Sequence, residues 1–119
     1  MIQHVAIETP PDAIDAQVAF YALLGFERVE PPSSLADRAV WVERNGTQVH
    51  LLLTENPVVP PLGHLAVVAG DYDATFAALR DAGHDPEPRA EHWGAPRLFV
   101  RDPAGHRVEV MSSPPAEPR

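Results

Sequence analysis

With 119 residues the chain is long enough for one domain with a real core but not for two independent ones. A hydrophobic share of 45% and a charged share of 22% are ordinary for a globular protein, and a formal net charge of −8 argues against nucleic-acid binding by phosphate neutralisation. There is no cysteine, which excludes thiolate ligands and a cysteine nucleophile, and no apolar stretch approaches the length of a membrane span. No basic leader opens the sequence and no Lys/Arg cluster marks a membrane surface. Together with the missing cysteines, this reads as a cytoplasmic protein.

In chain order, Ile2–Glu8 alternates as a strand and Pro10-Pro11-Asp12 stops it. Asp12 or Asp15 can cap a helix reaching about Leu24, with Ile14, Val18 and Tyr21 at helical spacing and Phe20 and Leu24 beside them. Gly25 is a plausible residue just past its end. Phe26–Glu30 is a short strand, and Arg38–Glu43 and Thr47–Leu53 form a hairpin through Asn45-Gly46. Residues 54–62 read as a linker. The order then repeats. His64–Ala69 is a strand, and Asp71 or Asp73 caps a helix with Tyr72, Phe76 and Leu79 on one face, ended by Gly83. Pro86–Arg89 is a weak strand, and Arg97–Arg101 and His106–Met111 form a hairpin across Asp102-Pro103-Ala104-Gly105. The expected fold class is α+β: one domain over 1–119, built from two tandem βαβββ modules at about 2–53 and 63–111, with a frayed tail at 112–119.

The two modules carry matching polar residues at nearly the same spacing. QHVAIE around His4 answers to GHLAVV around His64, and QVHLLL around His50 answers to RVEVMS around Glu109. Side chains alternate along a strand, so each of these four residues lies opposite a uniformly aliphatic set: Val5 and Ile7, Val49, Leu51 and Leu53, Leu65 and Val67, Val108 and Val110. The aliphatic faces should pack under the helices. The other face then presents imidazole and carboxylate groups, the donors a borderline divalent metal takes. His4, His50, His64 and Glu109 are therefore the candidate metal ligands.

At these residues the chain resembles the vicinal oxygen chelate superfamily, the group of glyoxalases, bleomycin-resistance proteins and extradiol dioxygenases. The resemblance covers about residues 2–111. It rests on the His4 strand, FYALLGF (Phe20–Phe26), GHLAVV, and above all VRDPAGHRVEVM (Val100–Met111). It implies paired modules forming an open, barrel-like cup around a divalent metal, with ligands from the first and last strand of each module. Glyoxalase-like and epimerase-like members commonly place Glu or Gln where this chain has His50. Dioxygenases and fosfomycin-modifying transferases resemble a set of two His and one Glu, matching His4, His64 and Glu109. Bleomycin-binding members lack the ligand set. Members commonly pair, so a homodimer is expected.

The reading that follows is a metal-dependent isomerase, epimerase or lyase for a small substrate that chelates through adjacent oxygens, with Zn, Fe, Ni, Co or Mn as the ion. Glu109 and His50 are the candidate bases. The alternatives are an Fe(II) extradiol-type dioxygenase and a non-catalytic protein that sequesters an antibiotic or metabolite. Glu8, Trp41, Trp93 and Arg107 are weaker candidates for substrate contact. Glu8 and Arg107 share the ligand face and equally suit an ion pair at the rim. Trp41 either lines the pocket or fills the core. His92 and Trp93 sit on a loop able to cover the cup, with a surface turn and a packed Trp as the plainer reading. His84 and His106 read as solvent-facing turn residues.

Overall fold

The computed structural model describes residues 1–115. The tail expected at 112–119 falls partly outside them. Of the part described, Ser112 donates its N–H to the Pro96 carbonyl at 3.0 Å, and the Ser113 carbonyl accepts from the Trp93 indole at 3.2 Å.

The chain order is β1 (His4–Thr9), α1 (Ile14–Leu23), β2 (Glu27–Val29), β3 (Ala39–Arg44), β4 (Thr47–Leu53), β5 (His64–Val68), α2 (Tyr72–Asp81), β6 (Glu87–Pro88), β7 (Arg97–Arg101) and β8 (Arg107–Met111). Short 3-10 turns at Pro11–Ala13 and Ser33–Leu35 precede α1 and β3. The result is the α+β, twice-written βαβββ order expected from the sequence. Two four-stranded mixed sheets form, ordered β1-β4-β3-β2 and β5-β8-β7-β6. In each, the module's first strand runs parallel to its last, and the remaining pairs are antiparallel. Among the described residues, no helix is long and apolar enough to cross a membrane.

The described residues divide into two compact units, Met1–Val59 with Pro103–His106, and Pro60–Asp102 with residues 107–115. The division at 59/60 falls inside the 54–62 linker. The β7–β8 turn, Pro103–His106, is grouped with the first unit. There the His106 imidazole Nε2 donates to the Glu8 carbonyl at 2.6 Å, and the Ala104 N–H donates to Gln17 Oε1 at 3.4 Å. His106 is thus buried, not solvent-facing, and His84 is half-buried.

In the first unit Val40, Val42, Val49 and Leu51 are buried on one sheet face, α1 buries Gln17, Phe20 and Tyr21, and Leu24 just past its end is buried as well. Full burial of a side chain such as Leu51 contributes roughly 1.5–3 kcal/mol. The buried stripe is centred one residue away from the stripe the sequence suggests. Ile14 and Val18 are only half-buried, while Gln17 is fully buried with its amide donating to Thr9 Oγ1 at 3.2 Å. In the second unit Leu98, Val100, Val108, Val110 and Leu79 of α2 form the equivalent core.

Both helices end identically. Gly25 and Gly83 take φ of +91° and +90°, a conformation glycine adopts without a Cβ clash. Their N–H groups bond Ala22 and Arg80 carbonyls, and the next residues, Phe26 and His84, bond Tyr21 and Leu79 carbonyls. This is a Schellman closure at matching places in the two copies. The helix starts differ. Asp71 accepts from the Ala74 N–H at 3.0 Å, as a capping Asp should. Neither Asp12 nor Asp15 caps α1, because the Pro11–Ala13 turn already leads into the helix and its N-cap, Ala13, has no side-chain bond.

Candidate functional site

Register decides which side chains become neighbours. In the first sheet Ala6, His50 and Trp41 lie side by side across β1, β4 and β3. In the second, Ala66, Glu109 and Phe99 occupy the same places across β5, β8 and β7. His4 and His64 each sit one step along the first strand. The duplication read from sequence is therefore repeated in register, position for position.

In the first unit three rings stack. His50 lies between Trp41 and His4, with ring centroids 4.0 Å away on each side and planes inclined by 2° and 14°. Trp41, whose place the sequence left open, is thus on the ligand face. The His50 Nε2–H donates to Gln48 Oε1 at 2.7 Å, and the Gln48 amide donates to Glu43 Oε1 at 2.8 Å. This chain of bonds fixes the proton on Nε2 and leaves Nδ1 as the acceptor nitrogen. His50 is buried, and burial, with the neighbouring His4 adding to it, holds its pKa below the ordinary value. The exposed His4 bonds Gln3 Oε1 through Nδ1 at 2.7 Å, leaving Nε2 as its open nitrogen.

The stack bears on chelation. A ring nitrogen directs its lone pair in the ring plane, so two imidazoles share an ion only where their planes meet. Planes inclined by only 14° at a 4.0 Å centroid distance meet far beyond a metal–nitrogen bond length. As stacked, His4 and His50 do not serve one ion together.

In the second unit His64 Nδ1 donates to the Leu62 carbonyl at 2.9 Å, which turns Nε2 toward Glu109 Oε1 at 3.3 Å. The other carboxylate oxygen of Glu109 accepts from Arg97 Nη1 at 3.2 Å. Glu109 and Arg97 side chains are 9% and 11% exposed, so this is a largely buried pair, and a buried carboxylate without such a partner is costly. Arg97 also donates Nε to the Ala90 carbonyl at 2.8 Å. Phe99 sets its ring edge-on to His64, with centroids 5.0 Å apart. Arg107 lays its guanidinium over Phe99 at 3.8 Å.

The four candidate ligands thus stand as one pair in each unit. Among the described residues no group of three or more His, Asp or Glu side chains is arranged to hold a metal ion. The weaker candidates fall in varied places. Glu8 accepts from the Val58 N–H at 2.7 Å, so its carboxylate ties down the linker. Trp93 is half-buried, bonded to Ser113 and lying 5.8 Å beneath Arg97, while His92 is exposed. Four residues that shape the site were not singled out by sequence: Gln48, Glu43, Arg97 and Phe99. The Asn45-Gly46 hairpin, once its register is counted, would have placed Glu43 beside Gln48 and Trp41 beside His50. The repeat would then have carried Trp41 onto Phe99.

Residues 2–110 match the family model of the Glyoxalase/Bleomycin resistance protein/Dioxygenase superfamily, and the chain belongs to that superfamily. Solved structures share the fold. A glyoxalase family protein from Bacillus anthracis superposes with a TM-score of 0.82 at 23% identity, covering 93% of each chain. A lactoylglutathione lyase from Agrobacterium tumefaciens gives a TM-score of 0.71 at 23% identity, over 93% of this chain and 92% of its own. A transposon-encoded bleomycin resistance determinant gives 0.65 at 16% identity, over 92% and 96%. No curated protein matches the chain.

Proposed function

We propose that this protein is a divalent-metal-dependent enzyme of the superfamily, an isomerase, epimerase or lyase acting on a small substrate with two adjacent oxygens. His4, His64 and Glu109 are its metal ligands, and His50 is the base. The observation that carries the reading is the His64–Glu109 pair. With Nδ1 of His64 committed to a carbonyl, its Nε2 lone pair and a carboxylate oxygen face each other at 3.3 Å. Two acceptors at that distance repel unless a cation lies between them or the imidazole is protonated, and nitrogen with oxygen donors fits Zn, Fe, Ni, Co or Mn. A bound divalent ion would polarise the substrate's paired oxygens as a Lewis acid.

The remaining work falls to side chains. His50, buried and held neutral near neutral pH, presents Nδ1 as a proton acceptor. Gln48 and Glu43 keep its tautomer, and the faces of Trp41 and His4 keep its ring in place. Arg97 fixes Glu109 so that one carboxylate oxygen stays toward His64. The stacking of His50 supports the base role over the ligand role. A second reading follows from the same stack. With His50 set aside, two His and one carboxylate remain, the set of Fe(II) dioxygenases.

Elemental analysis of untagged protein, with calorimetric metal titration of wild type and His64→Ala, tests the metal reading. One ion per chain, lost in the variant, is expected. Protein that carries none and gains none overturns it. Cleavage of a catechol by the Fe(II)-loaded protein would favour the dioxygenase reading, and tight ligand binding that survives chelation without turnover would favour a sequestering protein. We further propose a cytoplasmic homodimer, which sedimentation equilibrium at monomer mass would overturn.

A further inference from the structure

We infer that a cavity on the sheet of the second unit binds the oxyanion of a small ligand, a carboxylate or a phosphate. This extends the proposed function by naming the charge of its substrate, and it rests on that reading only for the ligand's fate. The cavity holds about 250 Å3 and is lined by Asp85, Glu87, Arg89, Phe99, Arg101 and Arg107. That volume suits the charged head of a metabolite more than a whole drug-sized molecule.

The charge distribution is the first argument. The chain is acidic, with a net charge of −8 and only nine basic residues, yet four of those nine (Arg89, Arg97, Arg101 and Arg107) belong to β6–β8 or flank them. Three of them ring Phe99, at 5.9, 5.3 and 3.8 Å from its centroid. Two are already neutralised, Arg97 by Glu109 and Arg89 by Glu87 at 2.8 Å. Arg107 has no carboxylate partner among the described residues.

Register is the second argument. Arg101 and Arg107 are directly opposite on antiparallel strands, so both side chains rise from the same sheet face and both line the cavity. Geometry is the third. Stacking on Phe99 holds the face of the Arg107 guanidinium, so its N–H edge remains for a ligand. Such an edge binds carboxylate or phosphate oxygens in bidentate fashion. Asp85, which also lines the cavity, can accept from a hydroxyl on the ligand.

The test is a 1H–15N NMR titration of the whole, EDTA-treated chain with sodium phosphate and, separately, sodium succinate, at ionic strength held constant with sodium chloride. Saturable shifts at the backbone amides of residues 85–89, 99–101 and 107 are expected. Affinity should fall at least tenfold in Arg107→Gln, recover in part in Arg107→Lys, and stay unchanged in Arg80→Gln, whose arginine pairs with Asp81 at the surface. Binding of phosphate alone identifies a phosphoryl ligand, and binding of succinate alone a carboxylate. Absence of saturable shifts with both anions, or equal affinity in wild type and Arg107→Gln, overturns the inference. If Arg107→Gln loses its fold, Arg101→Gln is judged by the same criterion. The measurement uses no metal, so its failure leaves the metal reading standing, and failure of metal binding leaves the cavity standing.

Discussion

Glu109 joins two roles that substitution can separate. Its carboxylate meets the largely buried Arg97 on one oxygen and His64 on the other, at 3.2 and 3.3 Å. Glu109→Gln preserves shape and an acceptor for Arg97 but removes the charge. Arg97 keeps a charge-assisted hydrogen bond to the amide oxygen but loses its counter-charge, so the metal-free protein should lose about 1–2 kcal/mol, less than a full break of the pair. Glu109→Ala strands a guanidinium that is only 11% exposed, and breaking such a pair costs about 3–5 kcal/mol. Adding Arg97→Met to Glu109→Ala removes the orphaned cation and should recover much of that loss. A metal at a hundredfold excess over its dissociation constant adds about 2.7 kcal/mol to the wild type. Glu109→Ala should not gain it. Urea melts of EDTA-treated protein, with and without Zn2+, measure every quantity. Retention of the full metal increment by Glu109→Ala would refute ligation by Glu109. Equal losses in Glu109→Gln and Glu109→Ala would refute the argument from the buried pair.

Asp71→Ala should cost about 1 kcal/mol in urea melts, through loss of the cap on Ala74, whereas Asp12→Ala and Asp15→Ala should change stability little. Equal effects would mean that α1 is capped after all. For His50, burial lowers the folded pKa below 6.5, so as pH falls the unfolded chain takes the proton first. Stability contributed by neutral His50 is therefore complete above about pH 6.5 and is lost as pH drops through the lower folded value. Metal-free wild type should weaken between pH 7.5 and 5 more steeply than His50→Gln, and parallel pH profiles would contradict this. Leu79→Ala, at the one fully buried side chain of α2, should cost about 2–5 kcal/mol. A near-neutral melt would show that Leu79 does not anchor α2 in the core of the second unit.

Much of this fold is legible because period and punctuation agree. The strand alternation, the glycines past each helix and the Asn-Gly hairpin point to one arrangement, and strand parity put His4, His50, His64 and Glu109 opposite the core without knowledge of pairing. Where the reading shifted, a polar residue stood in an apolar place. Gln17 occupies the centre of the buried stripe of α1, so the hydrophobic period there points one residue away from the true face. His106 looked like a turn residue because its partner is a backbone carbonyl 98 positions away in sequence, which no local pattern encodes. Glu8 shares the ligand face by parity, yet its carboxylate is spent on the Val58 N–H. Arg97 escaped notice because its importance comes from Glu109, reached across the β7–β8 register.

Duplication put different groups at equivalent positions, and their surroundings diverged to suit them. His50 is flanked by Trp41, His4 and the uncharged Gln48, whereas Glu109 is flanked by Phe99, Arg97 and His64. A neutral imidazole tolerates the first environment, where ring faces replace water and one amide oxygen satisfies its N–H. A carboxylate there would be buried beside no guanidinium, which is costly unless a metal offsets it. Arg97 supplies at Glu109 the cation that position 50 lacks. In this chain position 50 is surrounded as an uncharged ring requires, and the carboxylate stands in the copy that carries arginine.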